Sequence, residues 1–251
     1  SGAHHDPIRG TFLLRLGVAL LEQGDRMGST QAIHEARDFL VRHGHRSRLA
    51  EAHLYEAILA LGRGHPRAAR VRVDPLITTA RAFSSDRLLS LGWSMKLRIA
   101  AIMNDKAAAR LAMAGRSTSR LPEEDRWRMA QARWYRAQRD LPQAIQVSDT
   151  TRTHTPGSVS LALECASGLI ATGHMDRAKH HLQFAQEVSQ KRGYRELLTL
   201  TQLLRGGTLT GDPKEWFEAI HQARSSPGVE LSMTALAMEG RRLILEGDKT
   251  A

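Results

Sequence analysis

Apolar residues recur along most of this chain at the three- and four-residue spacing of an amphipathic helix. The clearest example runs from Leu161 to Val188, where two such stretches are joined by a tight turn at Thr172-Gly173-His174. Small residues, Ala166 and Ala178, stand where the two helices would touch. Because one short hairpin barely buries its own apolar stripe, this pattern predicts further hairpins stacked against it.

A turn of the same kind recurs at steps of 34 to 40 residues. Its seven positions are Gly24-Asp25, Gly64-His65, Asn104-Asp105, Arg139-Asp140, Gly173-His174, Gly211-Asp212 and Gly247-Asp248. An apolar-periodic helix is predicted before each turn, over 12–22, 50–61, 88–103, 126–138, 160–172, 197–207 and 232–246. Pro66, Pro142 and Pro213 fall in the first turn of the helix that follows, where a missing N–H costs nothing. No stretch alternates with period two, so we predict an all-α fold.

This repeat resembles the tetratricopeptide repeat, a helix-turn-helix unit of about 34 residues. That family wants a small residue at the eighth place of the first helix, as found at Gly17, Ala57, Ala132, Ala166 and Gly240. It wants alanine at the twentieth place, as found at Ala69, Ala109, Ala144 and Ala178. Leu97, Leu204 and Trp216 depart from the pattern. The resemblance implies a right-handed superhelical solenoid of about six to seven antiparallel repeats, which we expect to form a single domain over 1–251.

The resemblance also implies a concave groove lined by the first helix of each hairpin. Its ninth place carries arginine in four repeats, at Arg98, Arg133, Arg205 and Arg241, and the fourth repeat adds Arg126 and Arg136. The first two repeats instead present Leu14, Val18, Leu54 and Ile58. Arginines repeated at the spacing of packed helices would hold an extended acidic segment or another anion by bidentate hydrogen bonds. The family's clamp for a terminal carboxylate is not matched.

Composition and charge leave a second interpretation open. The net charge of +10 lies within 63–152, which holds 18 Lys/Arg against 8 Asp/Glu. Such a segment would also suit the phosphates of RNA or single-stranded DNA, with Trp127, Trp134 and Tyr135 as stacking platforms. At Trp134 and Tyr135, a role in packing between repeats competes with base stacking. A gel-shift titration over salt concentration would distinguish the two interpretations, because the absence of nucleic-acid binding at low salt would exclude a nucleic-acid partner.

Candidate chemistry is sparse. There is no glycine-rich phosphate loop, and the acids Glu123-Glu124-Asp125 suit a helix start better than an acid/base pair. The single cysteine, Cys165, excludes an intrachain disulfide and reads as a buried thiol. His180 and His181 are adjacent on a helix and face different directions, so they cannot chelate one ion together. We therefore predict a non-enzyme with no metal site and no cofactor.

The expected function is a protein-interaction or ligand-sensing module of a larger bacterial regulatory protein. Both ends of the chain look cut, there is no apolar run long enough to span a bilayer, and a cytoplasmic location is expected. The partner would be a protein or peptide with acidic segments, or a small anionic ligand, with nucleic acid as the alternative. Leu236, Leu243 and Leu245 lack a partner helix at the C-terminal edge, which makes self-association through that edge a third expectation.

Overall fold

The computed structural model describes residues 7–22, 25–116, 124–149, 155–208, 212–225 and 234–239. These residues form helices joined by turns and contain no strand, as the periodicity predicts. The helices are α1 Pro7–Glu22, α2 Arg26–Arg42, α3 Arg46–Gly62, α4 Pro66–Ala82, α5 Asp86–Met103, α6 Lys106–Gly115, α7 Glu124–Ala137, α8 Leu141–Ser148, α9 Pro156–Ala171, α10 Met175–Arg192, α11 Arg195–Gly206 and α12 Pro213–Ser225. Residues 234–239 are also helical.

The recurring turn has a common backbone conformation that explains its sequence. Where the turn is described, its first residue is left-handed, with φ of +75° at Gly64, +51° at Asn104, +63° at Arg139 and +81° at Gly173. Glycine and asparagine tolerate this region best. The second residue of each turn is the N-cap of the following helix, and Asp105 there accepts a hydrogen bond from the Ala108 N–H. The motif therefore ends one helix and begins the next within two residues.

Within each unit, helices that follow one another in the chain pack together. Hairpin partners are in contact (α1 with α2, α3 with α4, α5 with α6, α9 with α10, α11 with α12). Neighbouring hairpins are joined through α2–α3 and α4–α5 in unit 1 and through α8–α9 and α10–α11 in unit 2. In addition, first helices of successive hairpins touch, as α1–α3, α3–α5 and α9–α11 do. This is the packing of a stack of helical hairpins.

The small residues expected at helix contacts are buried wherever the structure describes them. Gly17 is buried, and a Cβ there would meet Ile33 Cγ1 at 2.6 Å. The predicted eighth- and twentieth-place alanines are all at most 5% exposed: Ala57, Ala69, Ala109, Ala132, Ala144, Ala166 and Ala178. The sixth hairpin departs by using Trp216, and Gly206 of α11 makes room for its ring, since a Cβ on Gly206 would lie 1.7 Å from Trp216 Cδ1. A large residue on one helix is thus matched by a glycine on the other.

The chain divides into two compact units, Ser1–Glu124 and Asp125–Ala251, where the sequence predicted one domain. We call them unit 1 and unit 2 and describe each by itself. The predicted turn at Gly247-Asp248 and the groove residue Arg241 lie outside the described residues, as do Gly240, Leu243 and Leu245. Searching the described helices for a stretch long and apolar enough to cross a bilayer finds none.

Candidate functional site

Unit 1 contains a carboxylate that is buried and surrounded by basic groups. Glu56, in the middle of α3, has a side chain only 3% exposed. Arg37 of α2 donates to its Oε1 at 2.8 Å, and Arg72 of α4 places Nε 3.3 Å from its Oε2. His53 Nδ1 lies 3.3 Å from the same Oε2, and His34 Nε2 lies 3.7 Å from Oε1. Three helices are therefore joined through one acid, which we call the Glu56 cluster.

The charge state of the Glu56 cluster follows from this arrangement. Burial alone raises the pKa of the Glu56 carboxyl, but the His53 hydrogen bond and the charges of Arg72 and Arg37 outweigh burial, so the pKa lies below its ordinary 4.5. Arg37 also donates to exposed Asp38 at 2.7 Å, and this bond lowers the pKa of Asp38 and raises that of Arg37. The cluster thus keeps its carboxylates ionised and its guanidinium protonated.

Unit 2 contains a second acid on a first helix, and two of the predicted groove arginines bind it. Glu164 of α9 has a side chain 9% exposed, with Arg133 Nε 2.5 Å from Oε1 and Arg136 2.8 Å from Oε2. Both arginines come from α7, one turn apart. We call this the Glu164 pair. Because a carboxylate already neutralises them, Arg133 and Arg136 are less available to a partner than the sequence suggested.

The remaining predicted groove arginines have mixed positions. Arg98 of α5 and Arg205 of α11 are half-buried, as side chains along a groove would be, while Arg126 of α7 is exposed. Arg241 lies outside the described residues. The structure brings Arg126, Arg133 and Arg136 together on α7. Arg98 and Arg205 belong to different units.

The predicted apolar end of the groove is only partly available. Leu14 and Leu54 are 2% and 4% exposed, and Leu14 packs in a core cluster with Leu40 of α2. Assigning these two leucines to a partner surface was therefore wrong, because a side chain enclosed by its own helices cannot line a groove. Val18 and Ile58 are partly exposed.

The aromatic platforms proposed for nucleic-acid stacking are mostly in the core. Trp127 is 6% and Trp134 8% exposed, and only Tyr135 is half-exposed. Base stacking needs an open ring face, so this part of the nucleic-acid interpretation loses its support. At the C-terminal edge, Leu236 is 52% exposed, which keeps the self-association expectation open.

A basic surface that the groove argument missed lies on the second helices of unit 1. Arg67 and Arg70 at the start of α4, and Lys106 and Arg110 at the start of α6, are all exposed. Arg70 reaches Asp105, the N-cap of α6, at 3.1 Å, so the two helix starts are adjacent. Among the described residues, Arg67, Lys106 and Arg110 take part in no ion pair. We call these four residues the α4–α6 surface.

Sequence reasoning missed Glu56 and Glu164 because it counted arginines without asking which acids face them. The sequence did contain a signal, namely an acid close to the eighth place, where a small residue packs at the helix contact. Glu56 immediately precedes Ala57, and Glu164 comes two residues before Ala166. It also missed a meeting of three metal-ligating side chains in unit 2, Asp149, Cys165 and His181. His180 and His181 do face different directions, as predicted, since His180 is exposed and His181 is 4% exposed.

Comparison of the chain with protein-family models gave no match, and comparison with curated proteins gave no relative. The assignment of function therefore proceeds from the residues described above.

Proposed function

We propose that this chain is a non-catalytic interaction module built of tetratricopeptide-like hairpins in a right-handed superhelix, and that it binds an acidic segment of a protein partner. Its place would be within a larger bacterial regulatory protein, in the cytoplasm. The observation that carries the proposal is the α4–α6 surface. There, four exposed cations are accompanied by two acids that already have basic partners: half-buried Asp105 binds Arg70, and Asp74 binds Lys96.

The chemistry of the surface favours carboxylates. Three of its four cations are arginines, whose planar guanidinium matches a carboxylate with two parallel hydrogen bonds. Arginine–carboxylate pairing, through one hydrogen bond each, recurs inside the protein between Arg37 and Glu56 and between Arg133 and Glu164. An acidic peptide lying across the starts of α4 and α6 would repeat it at the surface. Arg98, half-buried on α5, is the second place in unit 1 where such a segment would bind.

Fluorescence anisotropy with a labelled decaglutamate peptide tests the proposal. The double variant Arg67→Glu/Arg110→Glu should bind at least about tenfold more weakly, because each reversal replaces an attraction with a repulsion. Arg46→Glu/Arg195→Glu is the matched control, since it changes the net charge by the same amount at the exposed first residues of α3 and α11, where an acid suits the helix dipole. The single variant Arg98→Glu then decides between the groove and the α4–α6 surface.

The competing outcomes are distinct. If wild-type protein leaves decaglutamate unbound at low salt, the acidic-partner proposal is wrong. If an oligouridylate binds more tightly than decaglutamate, with an affinity that falls steeply with salt, the partner is nucleic acid. If Arg46→Glu/Arg195→Glu weakens peptide binding as much as Arg67→Glu/Arg110→Glu, the effect belongs to net charge and not to this surface.

A further inference from the structure

Three side chains with metal-ligating atoms meet in unit 2, at the junction of three helices. Asp149 is the C-cap of α8, Cys165 lies in the middle of α9, and His181 lies in the second turn of α10. Their ligand atoms, one oxygen, one sulfur and one nitrogen, all lie within 4.8 Å of one another. Cys165 is fully buried and His181 is 4% exposed, while Asp149 is exposed.

Two of the three distances between these atoms match those that a tetrahedral metal ion sets between its ligands. Zinc bonds of about 2.3 Å to sulfur and about 2.0–2.1 Å to nitrogen or oxygen give a sulfur–nitrogen edge of about 3.6 Å and a nitrogen–oxygen edge of about 3.3 Å. In the structure, Cys165 Sγ lies 3.4 Å from His181 Nε2, and Nε2 lies 3.5 Å from Asp149 Oδ1. The third distance, from the sulfur to the carboxylate oxygen, is within 4.8 Å. His181 Nε2 is therefore already spaced to share an ion with Cys165 and with Asp149.

A single nitrogen, His181 Nε2, faces both the thiol and the carboxylate, and it carries at most one proton. If Nε2 donates to Asp149, the distance of 3.5 Å is longer than an ordinary N–H···O bond. If Nε2 accepts from the Cys165 thiol instead, it has no proton to donate to the carboxylate oxygen beside it. A cation between the three groups would bind all three ligand atoms at once.

The surroundings suit a cation that enters from one side. Asp149 lines an open cleft together with His174 and Arg177, whereas Cys165 belongs to the apolar core cluster of α9 and α10. Arg177 binds the other carboxylate oxygen, Oδ2, at 2.9 Å, which leaves Oδ1 turned towards His181. This bond holds the carboxylate in place, as second-shell partners of metal ligands do. A fourth, solvent ligand would come from the cleft.

We propose that Asp149, Cys165 and His181 form a binding site for a thiophilic divalent cation of the zinc class. Sulfur with imidazole nitrogen selects such ions over magnesium or calcium, which prefer all-oxygen sites. A bound ion would tie the end of α8 to α9 and α10. The site is independent of the basic α4–α6 surface proposed above, because that surface belongs to unit 1.

Cobalt(II) is the probe for this proposal. The metal-free full-length chain is titrated with Co²⁺ and observed for a thiolate-to-cobalt charge-transfer band. Because Cys165 is the only cysteine, this band reports on this site alone, even if other histidines bind cobalt weakly. We expect the band to saturate at one equivalent of Co²⁺ and to disappear when one equivalent of Zn²⁺ is added.

Two ligand variants and one control make the test specific. Cys165→Ser should abolish the band, and Asp149→Asn should weaken cobalt binding at least about tenfold, because even second-shell changes cost that much. His180→Ala, on the exposed neighbour of His181, should leave binding unchanged. Far-UV circular dichroism checks that each variant is folded, and Asp149→Asn decides the matter if the buried variant unfolds, since Asp149 is exposed. Absence of the band in folded wild-type protein, or an unchanged titration in Asp149→Asn, would overturn the proposal.

Discussion

Each unit buries one glutamate on a first helix and neutralises it with two arginines, but the two arrangements differ in where the arginines come from. Glu56 receives Arg37 from the helix before it and Arg72 from the helix after it, with two histidines besides. Glu164 receives Arg133 and Arg136 from a single helix, α7. Glu56 thus joins three helices, whereas Glu164 joins two.

This difference in origin suggests different roles for the two sets of arginines. Arg37 and Arg72 hold helices together, whereas Arg133 and Arg136 also contribute to the charge that α7 presents to a partner. Around Glu56 the basic groups come from α2, α3 and α4, and removing the acid would leave the partly buried Arg37 and His53 close together without their carboxylate. Around Glu164 one arginine, Arg136, is 42% exposed, so water already solvates part of its charge. We therefore expect the Glu56 cluster to contribute mainly to stability, and the Glu164 pair to combine a smaller stability role with control over the charge that α7 presents.

The largest expected effect is that of Glu56→Gln on stability. This change keeps the side-chain volume but removes the charge, leaving Arg37 and Arg72 opposite a neutral group. We expect the free energy of unfolding to fall by about 3 kcal/mol, within the range for breaking a buried ion pair. Urea unfolding followed by far-UV circular dichroism at pH 7 measures it, with exposed Glu35→Gln as the control for net charge. A loss no larger than that of Glu35→Gln would contradict the comparison.

The Glu56 cluster should also make the free energy of unfolding depend on pH in the acid range. Because the pKa of Glu56 in the folded chain lies below its ordinary 4.5, the unfolded chain binds more protons in acid. The stability that Glu56 contributes is fully present above about pH 4.5 and is lost as pH falls through the folded pKa. Unfolding free energies measured from pH 6 downwards, at pH intervals of about 0.5, should fall more steeply in wild type than in Glu56→Gln. Equal slopes would mean that the cluster does not hold the carboxylate ionised.

A dependence on acid remains in the Glu56→Gln variant. The pKa of Asp38 is lowered by its bond from Arg37, and the pKa of Asp105 is lowered by the Ala108 N–H and by Arg70. Asp38 is exposed and Asp105 is half-buried, and the substitution at Glu56 removes neither of them. The quantity that tests the cluster is therefore the difference between the two slopes and not the slope of either protein alone.

In unit 2, Glu164→Gln should lower the free energy of unfolding by less than Glu56→Gln does, and it should strengthen the binding of decaglutamate. We expect a loss of about 1 kcal/mol, because Arg136 is already partly solvated. The same change leaves Arg133 and Arg136 without their carboxylate, so decaglutamate should bind severalfold more tightly by anisotropy. Glu187→Gln, an exposed residue of α10, changes net charge equally and is the control. Equal gains in both variants would show that α7 takes no part in binding.

These cases explain which features the sequence could predict. The turns were predictable because a left-handed residue followed by an N-cap is a local requirement, met for example by Asn104 and Asp105. The buried alanines were predictable because their places repeat with the hairpin. The ion pairs were not, because Arg37 and Glu56 are 19 residues apart and Arg133 and Glu164 are 31 apart. Their meeting depends on how one helix is rotated and shifted against another.

The groove arginines illustrate the limit most directly. The ninth-place rule predicts that Arg133 lines a groove, and the structure shows this side chain half-buried. It gave no means of knowing that Glu164 of the next hairpin would neutralise it. The prediction for Leu14 and Leu54 was wrong for the same kind of reason. Neighbouring helices enclose both side chains, and the position within the repeat does not reveal that.

The smallest expected effect separates the two arginines of the Glu56 cluster. Arg72 is 38% exposed and 3.3 Å from Glu56, whereas Arg37 is 25% exposed and 2.8 Å away. Since exposed ion pairs contribute little, Arg72→Gln should lower the free energy of unfolding by only about 0.5 kcal/mol, and less still in high salt.

The matched change on the same helix is Arg67→Gln, at an exposed residue that has no ion pair among the described residues. It should change the free energy of unfolding by less than Arg72→Gln does, while Arg37→Gln should exceed both because it also removes the bond to Asp38. Urea unfolding of the three variants at low and high salt gives the order. If Arg72→Gln proved as costly as Arg37→Gln, the acid would be held equally from both sides. The cluster would then act as a symmetrical link between hairpins, and not as an extension of the α2–α3 contact.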